Sequence, residues 1–473
     1  MQGSVKDDYI AQIQEKGVKI VNLCHIPDDC RLKTLSFTAT TRNRLKEILE
    51  FGERVDGSSL FPYVNPDRSD VYIIPRTESA FIDPFSSLPT LNILCDYIDE
   101  DGKPLKTAPQ NILRRAEEKL LSSNSIVLNG LAELEFYVIE KKETFSDPIE
   151  MNDSAQQGNY QESKPIAKFG DLRNEALVTL EELGFPMKYG HAEVGRFHSK
   201  NGHLIEQQEI EFLPQRLGRM AETITIAKWV VRNICERHGA YASFSPKPSL
   251  EHAGNGMHIH LSALRGNRNV ISDSEGNLTS EAKQIIGGIL KFSPSLAAFG
   301  NTIPVSYLRF LSRSESPMHI CWEAKNRLAL IRIPLWWSFG KAFRESENSK
   351  RTFEYRGPDP SASNYLLFAG ITVAANYGLK NPKEAMKIAQ DLNIGEKAEL
   401  NKKREVLPLS CAEAAGNLRK DREYYEADGV FPETVIDSTI KKLESHKDGQ
   451  LRTGLASKQN NVESLILRYL DYG

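Results

Sequence analysis

The sequence predicts an α+β protein of more than one domain, with mostly antiparallel strands and long helices between them. Three observations carry that prediction. At 473 residues the chain exceeds what one ordinary hydrophobic core accommodates. Short β-rich runs such as "SDVYIIP" and "LAELEFYVIE" interleave with helical stripes such as "AETITIAKWVVRNICERHG". No fixed-period repeat is visible, which sets solenoids and propellers aside.

Taken in order, "VKIVNLCHI" and "SDVYIIP" read as strands, and "NRLKEILEFG" reads as a helix closed by Gly52. Turn residues and a proline cluster in "DEDGKPLKTAPQ", ahead of the helix "NILRRAEEKLL". The domain boundary is expected there, giving units 15–105 and 106–473. "LAELEFYVIE" follows as a strand, and the polar stretch 141–165 is expected to be an exposed insertion. The helix "LRNEALVTLEELG" is ended by Gly184, and "EQQEIEFLP" is strand-like. In the next helix apolar residues 224, 227, 230, 231 and 234 form one stripe, stopped by Gly239. "YASFSPKP", "GMHIHLS", "RLALIRIPLWW" and "TFEYRGPDP" are expected strands. "EAKQIIGGILKFSPSLAAFG", "NYLLFAGITVAANYG" and the charged tail are expected helices.

Composition narrows the function classes. Sixty basic against 63 acidic residues leave a formal charge of -3, so neither nucleic acid nor an anionic membrane is suggested. No apolar run reaches the roughly 20 residues that span a bilayer. The opening "MQGSVKDDYI" has no signal-peptide core, and the six cysteines form no C-x-x-C pair. A cytoplasmic, soluble protein is the expectation.

The chemistry lies in polar residues spaced two apart on strands. "HAGNGMHIHLS" places His258 and His260 on one face of a strand behind a glycine-rich turn. The pair could be metal ligands, a ligand plus a substrate contact, or two satisfied polar side chains. Glu133 and Glu135, Glu209 and Glu211, and Glu354 with Arg356 repeat the spacing on other strands. Each alone is explained by a solvated strand face. Several together amid large apolar neighbours are not, because an unpaired buried charge costs several kcal/mol, roughly. Carboxylates with an imidazole suit Mg²⁺ or Mn²⁺ better than structural zinc. Arg309, Arg327, Arg332 and Arg356 supply the guanidinium groups that clamp carboxylate or phosphate. That combination points to phosphoryl transfer, and no G-x-x-x-x-G-K-[ST] loop is present to hold the nucleotide.

With those residues in view, the chain resembles the glutamine synthetase family from about residue 15 to its end. The matching pieces run in the family's order: "VDGSSL", "SDVYIIP", "AELEFY", "HAEV", "QQEIEF", "GNGMHIH", "NRLALIRIP", "FEYRGPDPSASNYL" and "DGVFPETVID". The resemblance implies a small β-grasp N-terminal domain and a catalytic domain with an open antiparallel β-barrel flanked by helices. It implies stacked rings, a homo-oligomer of twelve subunits with active sites between neighbours. It also implies that Glu135, Glu193 and Glu209 hold one Mg²⁺ or Mn²⁺, and that Glu133, His258 and Glu354 hold a second. His260 and Ser262 would lie on the nucleotide side, and Arg327 and Arg332 would neutralise ATP phosphates. Arg309 and Arg356 would bind the glutamate carboxylate and the moving phosphoryl group, with Gly254 contacting the amino group. Glu315 would be a flap glutamate, and Asp56 of an adjacent subunit would deprotonate ammonium. The implied reaction joins glutamate to ammonia, or to a small organic amine, with ATP.

The pattern breaks in four places. Ala253 precedes Gly254 where an asparagine is usual among glutamine-forming members, a feature similar to members that use larger amines. Lys188 stands where a nucleotide-contacting glutamate is common. Ser349 and Thr352 occupy positions that are often basic, and Lys350 or Arg351 would be the substitutes. No tyrosine lies between Tyr377 and Tyr424, so the adenylylation control of some bacterial members is not expected.

Overall fold

The computed structural model describes residues 7–39, 41–140, 158–199, 202–310, 316–335, 351–395, 405–449 and 459–472. Two sheets organise it. The first holds β1 (Ile20–His25), β2 (Lys33–Thr38), β3 (Glu53–Asp56), β4 (Asp70–Pro75), β5 (Phe81–Ile82) and β6 (Thr90–Ile98). Its order is β2-β1-β6-β4-β3 with β5 on β6, and β1 runs parallel to β6. Helix α1 (Arg42–Phe51) lies across it and buries Leu45, Ile48 and Leu49. Thr41 caps its first turn by accepting from the Arg44 amide. The helix ends where expected, at Gly52, whose φ is +60°. A Cβ there would lie 1.9 Å from the Ile73 carbonyl oxygen, so glycine alone fits. Val21, Leu23, Ile73, Ile93 and Tyr97 complete this core. The arrangement is the expected β-grasp.

The second sheet has ten strands in the order β14-β15-β16-β12-β7-β9-β8, with β10 and β11 on β7 and β13 on β12. These are β7 (Val127–Glu140), β8 (Met187–His198), β9 (Leu204–Phe212), β10 (Gln215–Arg216), β11 (Ala240–Ser243), β12 (Met257–Arg265), β13 (Arg268–Asn269), β14 (Trp322–Ala324), β15 (Ile331–Ile333) and β16 (Phe353–Tyr355). All pairs are antiparallel except β14 with β15, and the sheet curls into an open half-barrel. Helices α2 (Pro109–Asn124), α3 (Gly170–Glu182), α4 (Leu217–Arg237), α5 (Ser280–Gly300) and α6 (Asn364–Lys380) flank it. Its core takes in Cys24, Ile26, Phe81 and Leu94 from the first sheet, so the two cores abut. Arg76 ties them further, lying 2.5 Å from Glu222 and 3.3 Å from Asp96.

Three expected strands are shorter than their apolar runs. Arg327 and Leu328 form an exposed turn, so only Ile331–Ile333 is strand; "YASFSPKP" and "TFEYRGPDP" shrink similarly, because prolines and glycines end the ladder. Of the expected insertion, 141–157 lies outside the described residues. Its end is not simply exposed: Asn159 is buried and donates to the Glu193 carbonyl at 3.1 Å. Among the described residues no helix is long and apolar enough to cross a membrane.

Candidate active site

Pairing register builds the site. Directly opposed residues of antiparallel strands put their side chains on one face, and alternate residues along a strand share that face. His258 lies opposite Glu133, and Glu133 opposite Glu211. One step along, Glu135 lies opposite Glu209, and Glu209 opposite His191. On the other side of β12, His260 faces Glu354, which faces Arg332 on β15. Six neighbouring strands thus deliver their charged residues to one cleft of about 980 Å³.

Distances within the cleft are short. Glu133 joins both histidines, with 2.7 Å to His258 Nδ1 and 2.8 Å to His260 Nε2. Glu354 lies 3.5 Å from His258 and 2.8 Å from Arg332, and also pairs with Arg356. His191 Nε2 is 3.1 Å from Glu209. Glu135 accepts from the Gly256 amide at 2.8 Å and from Gln207 at 3.1 Å. Among the described residues three groups have ligand atoms within 4.8 Å of one another: Glu133, His258 and Glu354; His191, Glu193 and Glu209; and Glu133, Glu211 and His260.

Glu354 and Glu211 are fully buried, and Glu209, Glu193 and Glu135 nearly so. Burial raises the Glu209 carboxyl well above the usual range, and the charges of Glu133, Glu135, Glu193 and Glu211 raise it further. For Glu133 burial pushes the same way, but His260 and His258 outweigh it and hold the carboxyl well below its ordinary value. His260 mirrors this: burial lowers its pKa, and Glu133 turns the net shift upward. Burial opposes ionisation of Glu354, and Arg356 prevails. Glu133 opposite Glu211 and Glu135 opposite Glu209 are like-charge pairs across strands, a destabilising arrangement unless cations sit between them. Oxygen-rich donors with one imidazole per group fit a hard divalent cation.

Other residues singled out from the sequence fall around this centre. Arg327, Arg332 and Arg356 line the cleft. Gly254, Arg309 and Ala253 line a small adjoining cavity together with Glu135, Glu193 and His258. A Cβ on Gly254 would meet the Pro246 carbonyl at 2.6 Å. Arg309 is braced by the carbonyls of Arg356, Gly357 and Pro358 at 3.0 to 3.1 Å. Ser262 is buried two residues beyond His260 and lines neither cavity. Asp56 is exposed on the N-terminal sheet, outside both cavities of its own chain, where it accepts from Ser58 and Ser59. Glu315, Ser349 and Lys350 lie outside the described residues. Arg351, expected as a substitute phosphate contact, turns away: it donates to Ser272 and Asp273 at 2.8 and 3.2 Å. Thr352 instead contacts His260 at 3.2 Å.

His191 and Glu211 were missed as site residues, although "HAEV" and "EIE" put each two residues from a chosen glutamate and so on its face. Lys188, unexplained by sequence, pairs with Glu211 at 2.6 Å at the cleft wall.

A half-barrel cupping buried carboxylates and histidines, rimmed by arginines, could hold divalent cations beside an anionic substrate. The catalytic-domain model of glutamine synthetase matches residues 106–448, and its β-grasp model matches residues 18–100. Glutamine synthetases of Pyrococcus horikoshii and Escherichia coli are each 31% identical to the chain. The first alignment covers 95% of both chains, the second 94% of this chain and 96% of the other. A solved glutamine synthetase of Plasmodium falciparum superposes with a TM-score of 0.77 at 20% identity, covering 95% of this chain and 97% of its own. An ADP complex of GmaS gives 0.75 at 21%, covering 97% and 100%, and at these identities both likenesses speak for the fold. The chain belongs to the glutamine synthetase family.

Proposed function

We propose that the chain is an ATP-dependent ligase that converts glutamate and ammonia to glutamine through γ-glutamyl phosphate. The observation that carries this reading is the set of buried carboxylates held opposite one another at the floor of an arginine-lined cleft. Glu133, His258 and Glu354 would hold one Mg²⁺ or Mn²⁺; Glu193 and Glu209, which the structure groups with His191, would hold another together with Glu135 from the same cleft. Bound there, such cations would screen the repulsion between substrate carboxylate and triphosphate. His260 and Ser262 take the nucleotide side, and Arg327 and Arg332 meet ATP phosphates. Arg309, Arg356 and Gly254 hold the amino acid.

In the first step the γ-carboxylate oxygen attacks the γ-phosphorus and ADP leaves. Ammonia then attacks the acyl carbon and phosphate leaves. Water must be excluded meanwhile, and Glu315 would take a proton from the attacking amine. Asp56 would come from a neighbouring subunit, because it lines neither cavity of its own chain. That requirement supports a ring assembly, a dodecamer of two hexamers, built from units 15–105 and 106–473. A cytoplasmic location goes with these substrates.

One observation favours a second acceptor. Ala253 lines the smaller cavity beside Gly254 and offers no side-chain amide there, which suits a γ-glutamyl ligase for a polyamine, ethanolamine or an alkylamine. Phosphate release from ATP, Mg²⁺ and glutamate, with ammonium compared against putrescine, ethanolamine and methylamine, separates the readings. Ammonium is expected to give the highest kcat/KM; preference for an amine transfers the assignment to the second reading. Absence of phosphate with every acceptor, despite ATP binding, would instead indicate a non-catalytic ring scaffold. Asp56→Ala is expected to impair ammonium use more than hydroxylamine use, and equal losses would remove the deprotonating role.

A further inference from the structure

Away from the carboxylate cleft, a cavity opens between the loop joining β1 to β2, helix α4, strand β11 and the C-terminal segment. Arg31, Lys228 and Arg232 line it and, among the described residues, Asp471 is the carboxylate beside them. Lys228 and Arg232 stand four residues apart on α4 and so share a face, a like-charge spacing that destabilises a helix. Lys228 is only 3% exposed, and its ammonium donates to the Pro360 carbonyl at 2.5 Å. The Arg232 guanidinium lies 4.9 Å from the Phe244 ring centroid.

These cations are costly where they are. Burial, then Arg232, lowers the Lys228 pKa to about 7. Burial, then Arg31, lowers that of Arg232 to about 10. The charged and titratable groups facing Lys228 are Arg232 on its own helix, Arg31 and Cys30 on the β1–β2 loop, and Asp359 after β16. None of them lines the carboxylate cleft. Trp229 and Tyr241 supply aromatic walls beside the charges.

We propose that this cavity is a second ligand site, which binds a compact dianion, a phosphate group or a dicarboxylate, between Arg31 and Arg232 with Lys228 at its floor. Guanidinium forks match the paired oxygens of either group, and a buried ammonium supplies a point charge. An anion there favours the charged ammonium, so binding at mildly alkaline pH takes up a proton on Lys228.

Calorimetric titration of the full-length protein with inorganic phosphate and, separately, with succinate tests this. Two buffers of different ionisation enthalpy, both mildly alkaline, report the proton. At least one anion is expected to bind with proton uptake, and the tighter of the two identifies the source of the charge. Arg31→Gln and Arg232→Gln should each weaken binding on the order of tenfold. Lys228→Met should abolish the proton uptake while the protein stays folded. Arg356→Gln, in the carboxylate cleft, should leave binding intact. No binding, insensitivity to both arginine substitutions, or loss in Arg356→Gln would overturn the proposal, whichever acceptor the ligase uses.

Discussion

Strand β2 of the first sheet, from Thr34, and strand β9 of the second, from Glu209 to Phe212, both alternate polar with apolar residues. In β2, at a sheet edge, Thr34, Ser36 and Thr38 are exposed to solvent. In β9, between β7 and β8, Glu206, Gln207, Gln208, Glu209 and Glu211 are all buried. A wet polar face costs little, whereas a dry one must be neutralised by partners or bound ions. The same sequence period therefore makes a supporting layer in one sheet and a buried carboxylate floor in the other. The dry face of the second sheet carries like-charge pairs, Glu133 opposite Glu211 and Glu135 opposite Glu209, above a large apolar core of its own.

The largest effect that would break this contrast comes from Glu354→Gln. Removing that charge is expected to lower the rate of phosphate release roughly a hundredfold to a thousandfold. Its thermal midpoint should fall as well, because Arg332 and Arg356 lose the buried carboxylate between them, so turnover is read per folded molecule. Unchanged turnover would show that the carboxylate floor is not the reaction floor.

Leu45→Ala does the converse. It truncates a fully buried side chain beneath α1 and should cost about 3 kcal/mol in denaturant unfolding. Turnover by the molecules that remain folded should stay near normal; a parallel loss of activity would tie the β-grasp core directly to the site.

Acid sensitivity sharpens the comparison within the first sheet. Burial, then Lys33, lowers the His25 pKa from 6.5 to about 4, and its Nδ1 lies 2.7 Å from the Tyr97 hydroxyl. The folded state thus holds a neutral imidazole that the unfolded state protonates more readily. Its contribution is complete above 6.5 and is lost as pH falls from there toward about 4, by up to about 3 kcal/mol. His25→Gln should flatten that part of a stability-against-pH curve. An unaltered slope would move the effect to another group.

The smallest effect concerns Glu209→Gln. It relieves repulsion among buried carboxylates, so without divalent metal the variant should be more stable by about 1 kcal/mol. Its stabilisation by added Mn²⁺ should be smaller than that of the unsubstituted protein, read as the shift in Tm. A metal-free variant less stable than its parent would mean that Glu209 is held by its neighbours rather than strained by them.

Much of the fold was legible beforehand. The helix ending at Gly52, the stripe from Ile224 to Ile234 and the alternating strands all follow local rules of period and capping. The site was half legible. The carboxylates at i, i+2 announced a charged strand face, but His191 and Glu211 gained importance only through their opposite numbers on other strands. Arg351, basic and adjacent in sequence, turned away because Ser272 and Asp273 supplied its partners from a distant turn.

By itself the sequence determined the two periods, the stops between elements and the residue types that share a strand face, because backbone geometry sets these within a few residues. The tertiary structure alone decided which faces are dry and which charges meet. Register is the reason: it is fixed by contacts between strands far apart in the chain, and a slip of one residue would turn Glu133 and Glu135 away from Glu211 and Glu209.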